Sequence, residues 1–420
     1  VLSGGGRCAG AGGGDSSAGG CSQAGGGWTT GDGWTAGDGP TVEDGWQAED
    51  ATQAGDAWAA GGTRTAGDDS QAGDGRAAGS GGCTAGDSRT PRDSGTPWDS
   101  CAADGDPDAG VRGSAVDRRD GDCLAFAVGL TQRLITLDAT VGAAAAVPLA
   151  RVAVRRLPEV RAAPASLAGA GSDRLAVLAE LCEVMGWVLF DAGFHGAAHR
   201  MNARALALAE LCGDRWTARL TLLNDSMLLA HTGQPRAALA AAARARGPRP
   251  LPPRVATLVL IREAHATAML GARQEPVGLM DRAGSLFLDG VSRHDPAWAW
   301  WIDEGELTGH QGWVAARLRD FDRAVPLLHR AATAPGGPSY RHLFTAHLLA
   351  ALTGAGAWSD AEQLIADLAP RAAHLGSART TESLRASAHR LLHDPARPAP
   401  ASARDAAVFL LESLEGGDAT

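Results

Sequence analysis

The sequence predicts an all-α protein: a right-handed α-solenoid of about five irregular helical hairpins, preceded by a low-complexity tail expected to be disordered. Three observations predict it. From about Cys123 onward apolar residues recur at helical spacing and strand signals are scarce. Among those helices one kind of short turn keeps returning. Residues 1–122, by contrast, hold almost nothing with which to build a core. Between Ser3 and Asp122 the only Leu, Ile, Val, Met or Phe residues are Val42, Val111 and Val116. That is too little apolar area to offset the entropy of ordering the chain. The expected division is a tail over 1–122 and a helical domain over 123–420.

The tail comes first. Aligned from Ser16 it reads in sixes: SSAGGC, SQAGGG, WTTGDG, WTAGDG and onward, with Trp28, Trp34, Trp46 and Trp58 in phase. A left-handed parallel β-helix has this period, but it needs an inward aliphatic side chain in each unit, and that recurring position is absent here. A calcium-binding β-roll repeats on a longer period, again with an aliphatic per unit. Collagen needs Gly at every third position. None fits. A tandemly copied stretch of DNA accounts for the pattern, and out-of-frame reading of an ordinary domain does not. The segment reads as at most a flexible, anionic spacer.

Charge separates the two parts. Residues 1–122 hold 8 Arg against 20 Asp and Glu, and the remainder holds 30 Arg against 28. No lysine occurs, which with so much Ala, Gly, Arg and Pro suggests a GC-rich coding sequence. An acidic tail repels phosphates, so it is no nucleic-acid surface. Of the 7 cysteines none are in C-x-x-C spacing, and Cys182 and Cys212 fall on apolar helix faces. With no apolar leader and no run near the ~20 residues of a membrane span, a reduced cytoplasm is the expected compartment and no membrane partner is expected.

The helical part is expected to hold helices over 124–138, 147–157, 173–192, 195–211, 215–231, 235–246, 252–270, 275–289, 296–318, 321–333, 340–355, 358–373, 377–393 and 403–415. Asp295 followed by Pro296 is a start signal for the ninth. Ser359 and Asp360 open the helix that carries Ala361, Leu364, Ile365 and Leu368, and Ser377 caps the one after it. Gly193, Gly233, Gly271 and Gly356 mark helix ends.

The turns themselves repeat. They read AGFHGAAH (192–199), TGQPRAAL (232–239), LGARQEPV (270–277), LRDFDRAV (318–325) and AGAWSDAE (355–362). Leading positions 193, 233, 271, 319 and 356 are 40, 38, 48 and 37 residues apart. Five places after each comes a small residue: Ala198, Ala238, Pro276, Ala324 and Ala361. In a helical hairpin the two helices cross closely near the turn, and a large side chain there pushes them apart. Another small residue near the middle of the first helix (Gly186, Ser226, Ala264 or Gly312) lets the pair close. This is the logic of the tetratricopeptide repeat. Arg319 stands where Gly is expected and Pro276 where Ala is expected. Long loops such as ARARGPRPLPPR (243–254) and TAPGGPSYRH (333–342) stretch the steps beyond the usual period of about 34 residues.

Three stretches carry a family likeness: GWVLFDAGFHGAAHRMNARALALAELCGDR (186–215), FLDGVSRHDPAWAWWIDEGEL (287–307) and GSARTTESLR (376–385). Over about Gly129 to Leu392 the chain resembles the C-terminal half of large bacterial helix-turn-helix regulators of the xenobiotic-response-element type. The resemblance implies an N-terminal DNA-reading domain followed by a tetratricopeptide-like array. In this chain hexads occupy the place of that reading domain. DNA is therefore an expected partner only if a helix-turn-helix is supplied upstream.

Candidate site residues concentrate in DPAWAWWIDEGELTGH (295–310). Trp298, Trp300 and Trp301, with Arg379, are candidates for a ligand groove. Trp298 and Trp301 also share a helix face with Ile302, which favours packing, whereas Trp300 lies off that stripe. Asp303, Glu306 and His310 have helical spacing but lack a second histidine, so a solvated polar face is favoured over a metal site. Arg379 suits either an anionic ligand or an exposed helix start. His195 and His199 suit an exposed face or a hairpin contact, and His342 and His347 fit no metal or triad pattern. Without G-x-S-x-G, a P-loop or a dinucleotide fingerprint, no enzyme activity, cofactor or metal is expected. The expected function is the sensor of a transcriptional regulator, taking a peptide, protein or small-molecule ligand, with a homodimer possible. The alternative is an interaction scaffold, or a degenerate gene product, without DNA binding.

Overall fold

The computed structural model describes the backbone of residues 115–416, and side chains from residue 121. The hexad tail lies outside the described residues. Every regular element among the described residues is helical. They are α1 (Ala115–Thr140), α2 (Ala143–Arg156), α3 (Ser172–Asp191), α4 (His195–Cys212), α5 (Arg215–His231), α6 (Pro235–Arg246), α7 (Pro253–Met269), α8 (Gln274–Leu288), α9 (Glu304–Arg317), α10 (Phe321–Ala332), α11 (His342–Ala355), α12 (Trp358–Leu368), α13 (Ala378–His393) and α14 (Ala401–Glu415). None of them is long and apolar enough to cross a membrane.

Several boundaries depart from expectation, among them the start of α2, which lies at Ala143 ahead of the expected 147. The first helix begins at Ala115, ahead of the expected start of the helical domain. The helix expected over 296–318 is two pieces: a 3₁₀ turn, Ala297–Trp301, and then α9. Asp303, not Asp295, caps α9, its Oδ1 accepting from Glu306 N–H at 2.9 Å. Asp295 instead accepts from Ser292 N–H at 2.7 Å. Asp303 with Glu306 three places on forms the stronger start signal. The helix expected over 358–373 tightens into a 3₁₀ turn, Ala369–His374, at Pro370, whose missing N–H and ring disfavour a continued α-helix.

The five turns share one geometry. Gly193, Gly233, Gly271, Arg319 and Gly356 have φ of 86, 78, 86, 63 and 76°, and Arg319 is the only non-glycine at positive φ among the described residues. The next residue's N–H reaches back five places in each: Phe194 to Leu189, Gln234 to Leu229, Ala272 to Thr267, Asp320 to Ala315 and Ala357 to Leu352, at 2.8–3.1 Å. This left-handed cap satisfies carbonyls that the ending helix leaves open.

Close helix crossing follows. Ala198, Ala238, Ala324 and Ala361 are fully buried, and Pro276 is buried. Ser226 Oγ donates to Ala238 O at 2.8 Å across the α5–α6 crossing. A Cβ on Gly312 would sit 2.6 Å from Leu328 Cγ on α10. The pairs α3–α4, α5–α6, α7–α8 and α9–α10 pack along much of their length, whereas α11 packs more extensively on α10 and α13 than on α12. The first helices touch in order, α3 to α5, α7, α9, α11 and α13. Apolar packing is divided to match. One cluster spans α1 to α5, smaller ones follow at α5–α7 and α7–α9, and a last one spans α9 to α14. Cys182 is buried in the first, where burial pushes its thiol up to about 12.

The beginning and end of this helical order also meet. Ala144 N–H donates to Gly376 O at 2.9 Å. Gly142 and Gly376 lie at φ of 114 and 64°, and a Cβ on Gly376 would fall 2.3 Å from Val141 O. Ser339 Oγ donates to Asp138 O nearby.

Candidate functional site

The first helices carry a second stripe, polar and aromatic, on the side they turn toward one another. Helical spacing puts Trp187 and Asp191 on one face of α3, Met227 and His231 on α5, Arg262 and His265 on α7, Glu306, His310 and Trp313 on α9, and Arg379 and Glu382 on α13. Most of these side chains are buried, although charged groups are rarely buried unless paired.

One end of the interior is built around Asp191. Arg379 Nε and Nη2 each lie 2.6 Å from Asp191 Oδ1, and Ser377 Oγ donates to the same oxygen at 3.0 Å. The guanidinium is sandwiched against rings, 4.9 Å from the centroid of Trp187 and 4.5 Å from that of Phe190. Trp187 Nε1 donates to Asp138 Oδ2 at 2.9 Å. Burial, reinforced by the Asp191 charge, pushes the Asp138 carboxyl up to about 7, against the pull of Trp187 and Arg379. Beside this group the rings of His195 and His231 stand 5.0 Å apart, and His231 Nε2 is 3.5 Å from Glu382.

The other end is built around His310. Its Nδ1 is 3.1 Å from His265 Nε2, so one ring donates and the other accepts. Its Nε2 lies 3.2 Å from Glu306 Oε1, in contact but not aligned as a hydrogen bond. His265 stacks on Trp313 at 3.9 Å between centroids. Burial holds His265 and His310 below the ordinary imidazole value and His347 down to about 3, so these rings are neutral near pH 7. Arg341 Nη2 pairs with Asp303 at 2.6 Å. Arg262 is 2% exposed, and its Nε donates to Leu223 O at 3.1 Å. Burial lowers it to about 10, which still leaves it charged.

Among these buried side chains Asp138 Oδ1, Asp191 Oδ2, Arg262 Nη1 and His310 Nε2 lack a hydrogen-bond partner, whereas Glu306 Oε2, also without a hydrogen bond, faces Arg341 Nε at 3.6 Å. The interior thus offers a cationic donor and several acceptors in a low-dielectric setting, where each acts more strongly than in water.

The expected groove of Trp298, Trp300, Trp301 and Arg379 is not assembled. Trp298 and Trp301 are half-buried against Leu206, Leu223, Leu258, Val259 and Ile302. Trp300 is 63% exposed. Arg379 is 5% exposed and paired with Asp191, so it is no exposed helix start either. Glu306 and His310, expected on a solvated face, are 6% and 5% exposed, because their side of α9 turns toward α7 and α11. His199 lies near the surface, 3.0 Å from Asp225, at a shallow cleft between α4 and α5. Sequence reasoning missed Asp138, Asp191, Arg262 and His231. Their signal was available: an ionisable residue set into the apolar stripe of one first helix after another.

No protein-family model matches this chain, and neither does any curated protein or any solved structure.

Proposed function

We propose that the described helices form a right-handed solenoid of tetratricopeptide-like hairpins that serves as the ligand-sensing part of a transcriptional regulator. The observation that carries the sensing role is the buried polar interior. Hairpins packed only for stability have no use for Asp191, Arg262, Glu306 and Arg379 where their first helices face one another, since apolar residues of similar volume stabilise such positions as well or better. The five repeated left-handed turns support the hairpin array, and quasi-repetitive arrays present a continuous inner surface for recognition. The regulatory role rests on the resemblance at 186–215, 287–307 and 376–385. DNA contact in this reading requires a helix-turn-helix supplied upstream, since hexads occupy its place in this chain.

The test has two readouts on the purified full chain. Native mass spectrometry reports any molecule retained from the host, and a mobility shift on DNA upstream of the gene reports operator binding and its salt dependence. A retained small molecule or peptide, lost in Asp191→Asn, supports the sensor. A chain that carries nothing and ignores DNA leaves the scaffold reading, for which exposed Leu288, Val291 and Trp300 offer a contact surface.

A further inference from the structure

Where α9 packs on α7, apolar contact is confined to a small cluster in which Leu260, Ile261 and Ala264 of α7 meet Leu307 and Val314 of α9. His265 lies one turn beyond Ile261, and His310 lies between Leu307 and Val314 on their side of α9, so the two rings complete this contact. His310 Nδ1 stands 3.1 Å from His265 Nε2, and the rings cross at 72° with 4.8 Å between centroids. Other rings enclose the pair: Trp313 stacks on His265, and Phe344 of α11 stands edge-on to His310 at 5.7 Å. The two histidines are 9% and 5% exposed.

Such a pair holds together through one N–H and one acceptor. A neutral imidazole has one of each, whereas an imidazolium has two N–H groups and no acceptor. With both rings charged, two N–H groups face each other across 3.1 Å and the bond is gone. The charged groups around the pair give little relief. Arg262 on α7, His347 on α11 and Arg379 on α13 all oppose a further positive charge. On the other side stands Glu306 of α9, its Oε1 3.2 Å from His310 Nε2 and its Oε2 3.6 Å from Arg341 Nε. That carboxylate balances one proton on the pair, not two. Burial acts with the cations and holds both rings below the ordinary imidazole value.

We propose that the His265–His310 pair is an acid-released latch between α7 and α9. At neutral pH the hydrogen bond between the rings joins the two helices. Acidification charges the rings, breaks their bond and opens the junction, which brings Arg262 and Glu306 into contact with water. Rings that stay neutral in the closed junction and charge in the open one hold it most firmly above about pH 6.5, and the hold is lost as pH falls through that value. The latch belongs to this junction whether or not the interior takes a ligand.

Hydrogen exchange of the full chain at pH 7.5 and pH 5.5, with rates corrected for the intrinsic effect of pH, tests it. Between these values each ring that charges only on opening favours the open state about tenfold, so two rings give up to about a hundredfold. Peptides from α7 and α9 should lose protection by tens of fold, while those from α12 and α14, which carry no histidine, lose little. His265→Gln keeps an amide that can donate to His310 and takes no proton, so the loss should shrink to about tenfold. His265→Gln combined with His310→Gln should remove it. The wild-type comparison between helices stands even if a variant fails to fold. Equal loss in all helices, no loss in α7 and α9, or an undiminished loss in the double variant overturns the latch.

Discussion

Two single residues are held in states that a free chain avoids. Arg319 sits at φ 63°, where an L side chain crowds the following carbonyl at a cost of about 1–2 kcal/mol. Arg319→Gly removes that strain and restores the residue found at the other four turns, but it adds freedom to the unfolded chain. The expected net is a gain of about 0.5–1 kcal/mol, read as a small rise in Tm. A fall in Tm means that the contact of Arg319 with the Phe321 ring outweighs the strain. Asp138 is the second. Its carboxyl is raised to about 7 from an ordinary value near 3.8, so the folded state binds its proton more tightly than the unfolded state does. Its contribution is fully present below pH 4 and is lost as pH rises toward 7. Asp138→Asn keeps an acceptor for Trp187 and cannot ionise. It should match the wild type near pH 4 and exceed it at pH 8 by on the order of 4 kcal/mol, measured by urea unfolding at both pH values. Equal stability at pH 8 refutes a raised Asp138.

At the scale of the element, the small residue is a packing rule with a testable sign. Gly to Ala inside a helix ordinarily stabilises by about 1 kcal/mol. On α8 the Cβ of Gly278→Ala meets nothing within 4 Å, so that variant should gain roughly this amount. On α9 the same change at Gly312 drives a Cβ to 2.6 Å from Leu328 Cγ and 3.0 Å from Leu328 N, so it should cost about 1–3 kcal/mol. Opposite shifts in chemical unfolding midpoints are the expected outcome, and a gain at both sites removes the close-crossing argument for α9–α10. This rule was legible in the sequence because it is local. A glycine, four residues and an alanine report turn conformation and crossing distance without reference to the rest of the chain. The break before α9 was harder to read, since Asp295-Pro296 and Asp303 with Glu306 are both good starts and only packing of Trp298 and Trp301 against α5 and α7 separates them. Harder still was the polar interior. Glu306 and His310 read as a solvated face because helical spacing says which residues share a side, not what that side meets.

Across the whole set of described helices, the meeting of α1 and α2 with α13 is what local patterns could not foresee. Asp191 and Arg379 are 188 residues apart, and nothing near either announces the other. The ion pair and the Ser377 bond tie the start of α13 to Asp191 on α3, and the Ala144 to Gly376 bond ties the residue before it to the start of α2, so these contacts form one local unit, a seam around residues 376–379. Gly376 is the weak point in that unit. Its φ of 64° disfavours any side chain, and a Cβ there would lie 2.3 Å from Val141 O and 2.9 Å from Gly142 Cα, against backbone that has no rotamer to yield. Gly376→Ala must therefore part the seam locally. The α7–α8 hairpin makes no part of that contact and keeps its packing. Hydrogen exchange followed by mass spectrometry reads both regions in one experiment. Peptides covering Ala144 and the start of α13 should lose protection severalfold in Gly376→Ala, while those in α7 and α8 exchange as in the wild type. Uniform loss over all helices would mean that the seam is part of a single cooperative core, and that closure is a condition of folding and not a movable contact.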